Sequence, residues 1–285
     1  MRIGLMGTGL MGRPMAERLM EKGFPLAVYN RTQAKALPLA DIGAEVCSSP
    51  SDVARSVECM IFMLSDYDAV SAVINACDPG DFSGKTVIQM STILPEESRK
   101  LKALMRERGA EYMEAPVLGS RDVACKGELI IMVGAESVLF EKYEPVLKVF
   151  GPEPRLVGDV GQAAALKLAL NQLIIALAAA FSFSLGLVQR SGVKVEDFMD
   201  ILRNSALYSP AFDKKLPRML SRDFSDPNFP VRHMLKDVNL ILAAGQEAGL
   251  DNRIVAEIAE CLKNGMEQGD EASDYSAVFN VINPG

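Results

Sequence analysis

The sequence predicts an α/β protein, a doubly wound parallel sheet followed by an all-helical C-terminal domain. Two patterns and the boundary between them carry the prediction. Through the first half, apolar runs of strand length alternate with helical runs, the order that builds parallel β-α-β units. Right-handed crossovers leave the strand carboxyl ends on one edge of such a sheet, where ligands bind. After about residue 160 the strand-like runs stop and only helical segments follow. That switch divides the chain into a sheet domain, residues 1–162, and a helical domain, residues 163–285.

Each element has its own signal. RIGLM reads as a buried strand, and GTGLMG leads into a helical run over 10–22 that Gly23 stops. LAVYN is a second strand. SSPSDVARS carries a helix start, with Ser49 as N-cap and Pro50 in the first helical position. CMIFML is a third strand, DYDAVSAVINA a helix and KTVIQM a fourth strand. LPEESRKLKALMRERG is a helix opened by Pro95 and two glutamates, closed by arginines and ended by Gly109. AEYMEAPV and ELIIMVG are later strands, and SVLFEKYEPVLKVFG is another helix. In the second half, helices are expected over 163–190, 195–204, 231–248 and 252–266, with a short run near 273–281. SRDFSDPNFPVRH is the longest loop-like segment.

Composition excludes several classes. A formal net charge of −7 repels a phosphate backbone, so no nucleic-acid partner is expected. A local arginine or a helix N-terminus still suits a single anion. The five cysteines are odd in number, far apart and without a C-x-x-C, as in a cytoplasmic protein with reduced thiols. The opening MRIGLMGTGLMG lacks the parts of a signal peptide. His233 is the only histidine, so no metal site is expected. Ser-His-Asp and Cys-His mechanisms fall away unless His233 alone is the base, and a polar helix residue is its plainer reading. The methionines Met6, Met11, Met15 and Met20 read as core filler. Residues 168–188 are about long enough to span a membrane. Asn171, Gln172, Ser182, Ser184 and Gly186 interrupt them, and no second span exists. A buried central helix, apolar all round, is therefore expected, and no membrane partner.

Gly7-x-Gly9-x-x-Gly12 has the Rossmann spacing. Gly7 suits the tight turn, Gly9 the approach of a pyrophosphate, and Gly12 close packing of helix on strand. Glycines in an ordinary turn are the bland reading. The apolar strand before the motif and the helix after it favour a dinucleotide. The second strand ends in Asn30, Arg31 and Thr32, with no carboxylate to hold a ribose 2′-hydroxyl. Arg31 forks onto phosphate oxygens and Thr32 donates a hydroxyl, which favours NADPH over NADH. Met63 and Leu64 in MLSD, and Thr92 in MST, belong to the carboxyl edge beside the cofactor. They also fit helix caps, and the two readings are compatible.

Within GQAAALKLALN, Lys167 and Asn171 are four apart and share one helical face. A poorly solvated lysine titrates lower than its ordinary value of about 10.4 and so handles protons near neutrality. An amide one turn away orients both that amine and a substrate oxygen. The bland reading is a lysine snorkelling from a helix end; a cofactor site without histidine chemistry favours function.

Four ordered motifs carry a resemblance. GLMGTGLMGRPMA, EAPVLGS, GQAAALKLALN and KDVNLILAAG resemble the first cofactor, substrate, catalytic and second cofactor signatures of the β-hydroxyacid dehydrogenases. That family includes 3-hydroxyisobutyrate dehydrogenase, tartronate semialdehyde reductase and glyoxylate/succinic semialdehyde reductase. The likeness runs from residue 1 to about residue 281. NRT, MLSD, FPVRHMLKD and DYSAVF look most like the glyoxylate/succinic semialdehyde reductase branch.

The resemblance implies NADPH-dependent reduction of a small aldehyde or 2-oxo acid to the hydroxy acid. Lys167 would be the general acid and Asn171 would position the substrate. Leu10 and Met11 would meet the cofactor from the glycine loop, Thr92 near the nicotinamide ribose and Lys236 at the nicotinamide end. Phe229 and Asp237 would line the substrate pocket, and Leu118, Gly119 and Ser120 would stand at the substrate carboxylate. Leu118 departs from the serine usual in the family. A missing hydrogen bond to a charged group costs about 1.5–3 kcal/mol, so the substrate is expected to be less acidic or bulkier there. Homodimers or homotetramers are also implied. The alternatives are oxidation of a β-hydroxyacid such as 3-hydroxyisobutyrate and imine reduction, whose enzymes generally replace the lysine. A third is a non-catalytic NADPH-binding scaffold, because fold alone does not fix function.

Overall fold

The structure, a computed structural model, describes residues 1–285. The chain divides into two compact units, Met1–Lys167 and Leu168–Gly285.

The first unit is built on β1 (Ile3–Met6), α1 (Gly12–Glu21), β2 (Leu26–Tyr29), β3 (Glu45–Val46), α2 (Pro50–Ser56), β4 (Cys59–Phe62), α3 (Tyr67–Asn75) and β5 (Thr86–Gln89). It continues through α4 (Pro95–Glu107), β6 (Glu111–Glu114), β7 (Val117–Leu118), α5 (Arg121–Lys126), β8 (Ile130–Gly134), α6 (Ser137–Leu147) and β9 (Arg155–Gly158). The strand order is β3-β2-β1-β4-β5-β6-β8-β7, with β9 beside β8. β1 pairs in parallel with both β2 and β4, Ile3 lying opposite Leu26 and Cys59. The winding direction changes between β1 and β4, which opens a crevice at their carboxyl ends.

Strand alternation supplies a core on each face of the sheet. Leu5, Val28 and Ile61 pack with α1 and α6 residues such as Leu19 and Leu147. Met6, Met60, Phe62 and Val87 pack with Val53, Val70 and Leu101 on the other face. Each such fully buried side chain contributes about 1.5–3 kcal/mol. The helix start at Ser49 forms as its sequence implies: its hydroxyl accepts from Asp52 N at 3.1 Å.

The sheet is not parallel throughout. β8, read as one more strand of a parallel sheet, runs antiparallel to both β6 and β7. Between β6 and β8 the chain makes only the short β7 and the six-residue α5. It folds back instead of crossing over, and a parallel return needs a longer crossover.

α7 (Gln162–Arg190) begins in the first unit and continues into the second, which adds α8 (Val195–Arg203), α9 (Pro210–Ser221), α10 (Val231–Glu247), α11 (Arg253–Glu267) and α12 (Val278–Ile282). Ile175, Phe181 and Leu185 of α7 pack with Met199, Phe212, Met234, Val238, Leu262 and Phe279. Phe181 stacks on Phe212 at 4.6 Å. The expectation that α7 is buried all round fails. Leu173, Phe183 and Leu187 are 58 %, 65 % and 58 % exposed. By length and composition alone the helix could cross a membrane, yet its inner face is core. α9 stands where no helix was expected, because Pro217 inside it argues against one. Ser209 as N-cap and Pro210 after it are the start signal that Pro217 obscures.

The long loop at 222–230 is tied down by Asp274. Its carboxylate accepts from Lys215 Nζ at 2.7 Å and from Asn228 N at 3.2 Å. Asp274 N and Tyr275 N donate to Phe224 O and Phe229 O, each at 2.8 Å. α10 therefore starts from a fixed point.

Candidate active site

The turn after β1 is too crowded for side chains at two of its glycines. Gly7 has φ +99°, and a Cβ there would collide with Met63 O. A Cβ on Gly12 would collide with Gly7 O, so α1 can start this close to β1 only without one. Gly9 is the contrast: a Cβ there would meet nothing within 4 Å. Thr8 is buried, and its Oγ1 has no partner. A tight loop with one open glycine and an orphaned hydroxyl fits a pyrophosphate laid against the start of α1. Leu10 is exposed and Met11 half-buried on the rim of this turn.

Asn30 at the end of β2 braces the loop. Its Oδ1 accepts from Thr8 N at 3.0 Å, and its Nδ2 donates to Thr32 O at 2.8 Å. Both ends of the amide thus serve to fasten β2 to the glycine turn. Arg31 and Thr32 follow as exposed residues with no carboxylate beside them in sequence. A ribose 2′-phosphate would meet a guanidinium and a hydroxyl here.

The ends of β4 and β5 are joined by Ser91. Its Oγ accepts from Leu64 N at 2.8 Å, and Gln89 Nε2 donates to Ser91 O at 3.0 Å. Met63 and Leu64 are half-buried on this locked edge, as is Thr92. Asp66 accepts from Ala69 N at 2.8 Å, so MLSD also provides the α3 cap. Leu118 ends β7, with Gly119 and Ser120 just after it, at the end of the strand order opposite β2 and β3. Ser120 stands at the N-cap of α5 without using its hydroxyl as a cap.

Lys167 lies in the second turn of α7 and is only 9 % exposed. Glu114, on the last residue of β6, grips the start of the same helix. Its Oε1 accepts from Gly161 N, Ala163 N and Ala164 N at 2.7, 2.9 and 3.1 Å. Burial pushes the Glu114 carboxyl above its ordinary range, opposed by Ser98 and the three amides. Sequence reasoning missed this residue. The available signal was an acid at the end of an apolar strand, AEYME.

In the second unit Asn171 is fully buried, and its Nδ2 donates to Asp237 Oδ2 at 2.6 Å. Lys236 Nζ lies 2.6 Å from Asp237 Oδ1. Three residues singled out from sequence thus meet in one cluster, with Asp237 holding the asparagine and the lysine. Phe229 is half-buried, edge-on to Tyr275 at 6.0 Å. His233 occupies the first turn of α10, its backbone bonded to Pro230 O.

Comparisons with known proteins identify the family. Residues 2–160 match the family described as the NAD binding domain of 6-phosphogluconate dehydrogenase. Residues 161–282 match that described as NAD-binding of NADP-dependent 3-hydroxyisobutyrate dehydrogenase. Glyoxylate/succinic semialdehyde reductase 1 of Arabidopsis thaliana is 35 % identical over 99 % of this chain and 98 % of its own. The 2-(hydroxymethyl)glutarate dehydrogenase of Eubacterium barkeri is 31 % identical over 98 % and 94 %. Among solved structures, Mycobacterium tuberculosis 3-hydroxyisobutyrate dehydrogenase with L-serine superposes with a TM-score of 0.87, at 23 % identity and coverage of 99 % and 98 %; that likeness shows the fold. The chain belongs to the β-hydroxyacid dehydrogenase family and is an NAD(P)-dependent oxidoreductase acting on CH–OH groups.

Proposed function

We propose that the protein reduces a small aldehyde or 2-oxo acid, of the glyoxylate or succinic semialdehyde type, with NADPH. The observation that carries the reading is the pair of buried polar residues on α7: Lys167, and Asn171 held by Asp237. The relatives named glyoxylate/succinic semialdehyde reductases in Arabidopsis thaliana support the substrate class. Arg31 and Thr32, with no acid in their place, support NADPH.

When bound, the reduced nicotinamide supplies two electrons and one hydrogen to the carbonyl carbon. The ammonium of Lys167 gives its proton to the carbonyl oxygen, which becomes the alcohol. The neutral amine then regains a proton from water. Asn171 keeps its amide oriented through Asp237. Gly119 and Ser120 hold the acid end of the substrate, with Leu118 as an apolar wall. The family resemblance gives Phe229 to the substrate, and Thr92 and Lys236 to the nicotinamide end.

The exposed apolar face of α7 at Leu173, Phe183 and Leu187 suits a homodimer or homotetramer. The unpaired cysteines suit a reducing cytoplasm.

The test is NADPH oxidation against glyoxylate, succinic semialdehyde, tartronate semialdehyde, methylmalonate semialdehyde and a cyclic imine. Turnover of glyoxylate or succinic semialdehyde, faster with NADPH than with NADH, is expected. Oxidation of NADPH by the imine alone, or by none of the panel, would overturn the reading.

A further inference from the structure

The helix that bears Lys167 starts without a capping side chain of its own. The residue before it is Gly161, at φ +104°, where a Cβ would collide with Arg99. The first-turn amides of a helix need partners when they are out of water. Here the partner comes from another element, 47 residues back along the chain: Glu114, itself 1 % exposed.

We propose that Glu114 is a positioning residue for Lys167, its carboxylate fixing the rotation and axial placement of the first turn of α7. The inference rests on Lys167 being the proton donor. Three N–H groups from Gly161, Ala163 and Ala164 converge on one oxygen. A turn of the helix about its axis, or a slide along it, stretches at least two of those bonds at once. Lys167 stands three and four residues beyond Ala164 and Ala163, on the same side of the helix and about 4.5–6 Å further along. Whatever fixes those two amides therefore fixes the base from which the lysine reaches.

The neighbours of Glu114 are shaped around it. Gly134, across the antiparallel pair from Glu114, has no room for a side chain: a Cβ there would lie 2.5 Å from Glu114 Oε1 and 2.8 Å from its Cγ. Gly134 thus leaves the space that the Glu114 carboxylate fills. Glu114 is bonded to backbone amides at the start of α7, so it acts through the helix.

The test compares Glu114→Ala, Glu114→Gln, Gly134→Ala and Lys167→Ala. It measures kcat well below each variant's melting temperature, and NADPH Kd by fluorescence titration. A displacement of about 1 Å at reacting groups lowers rates about 100-fold, so Glu114→Ala should lose about that much in kcat while NADPH Kd stays within about twofold. Glu114→Gln keeps an acceptor oxygen and should recover kcat to within about fivefold of wild type. Gly134→Ala displaces the carboxylate without removing it and should lower kcat about 10-fold. A purely structural role predicts lower melting temperatures with unchanged kcat, and that pattern would overturn the proposal. If Glu114→Ala does not fold, Gly134→Ala decides, and wild-type kcat in it also overturns the proposal. Should Lys167→Ala keep full turnover, the proton-donor reading falls and this one with it. Loss in Lys167→Ala with none in the other variants removes only the role of Glu114.

Discussion

Asp274→Ala should be among the most damaging single changes in the helical unit. The Asp274 carboxylate is fully buried and accepts from Lys215 Nζ at 2.7 Å, Ser276 Oγ at 2.6 Å and Asn228 N at 3.2 Å. The Lys215 side chain is only 13 % exposed, so the substitution strands an ammonium with little water around it. Removing one partner of a buried ion pair costs about 3–5 kcal/mol, which corresponds to about 12–20 °C in melting temperature for a unit of this size. The pair as a whole contributes far less, because desolvation of both ions offsets their attraction. Lys215→Met with Asp274→Asn, which keeps an acceptor for Asn228, should lie within about 2 kcal/mol of wild type. Urea unfolding at neutral pH of Lys215→Met, Asp274→Asn and their double variant closes the cycle, with Asp274→Ala measured beside them. Asp274 also holds the loop that carries Phe229, so KM for the carbonyl substrate should rise in Asp274→Ala. A stability loss below about 1 kcal/mol, the range of solvent-exposed pairs, would refute the claim that this pair is held out of water.

Two further outcomes are expected. Arg31→Ala should weaken NADPH binding by about 10–100-fold, the loss of a charge-assisted hydrogen bond of about 1.5–3 kcal/mol, and leave NADH binding unchanged in fluorescence titrations. Burial raises the Glu114 carboxyl above its unfolded value of about 4.3. Its contribution to stability is therefore present below that value and is lost as pH rises through the folded pKa. Glu114→Gln should thus gain melting temperature over wild type at about pH 7 and show little gain at about pH 4; a loss at neutral pH alone would contradict the sign.

The parallel half of the sheet was legible because strands buried on both faces read as unbroken apolar runs such as CMIF, each followed by a helix. Short elements were not. β3 and β7 are two residues each and hold their shape only through pairing with neighbours. The reversal of β8 depends on what the chain does between Ala115 and Leu129, where no local periodicity speaks. The exposed face of α7 was hidden for a different reason: an apolar residue looks the same in sequence whether or not a neighbour covers it. At the site, the glycine spacing and the Lys167–Asn171 pair were legible because their geometry is local to one turn or one helix. Glu114, Ser91 and Asp274 were not, because their partners are distant in sequence: Gly161, Leu64 and Lys215. Asn30 was found for its position, yet its amide turns inward to brace Thr8.

The most direct measurement is single-turnover NADPH oxidation by Lys167→Ala with saturating aldehyde, alongside its NADPH Kd. Loss of a general acid should slow the step by about 10²–10⁴-fold with cofactor affinity unchanged. A rate equal to that of wild type would remove Lys167 from the chemistry.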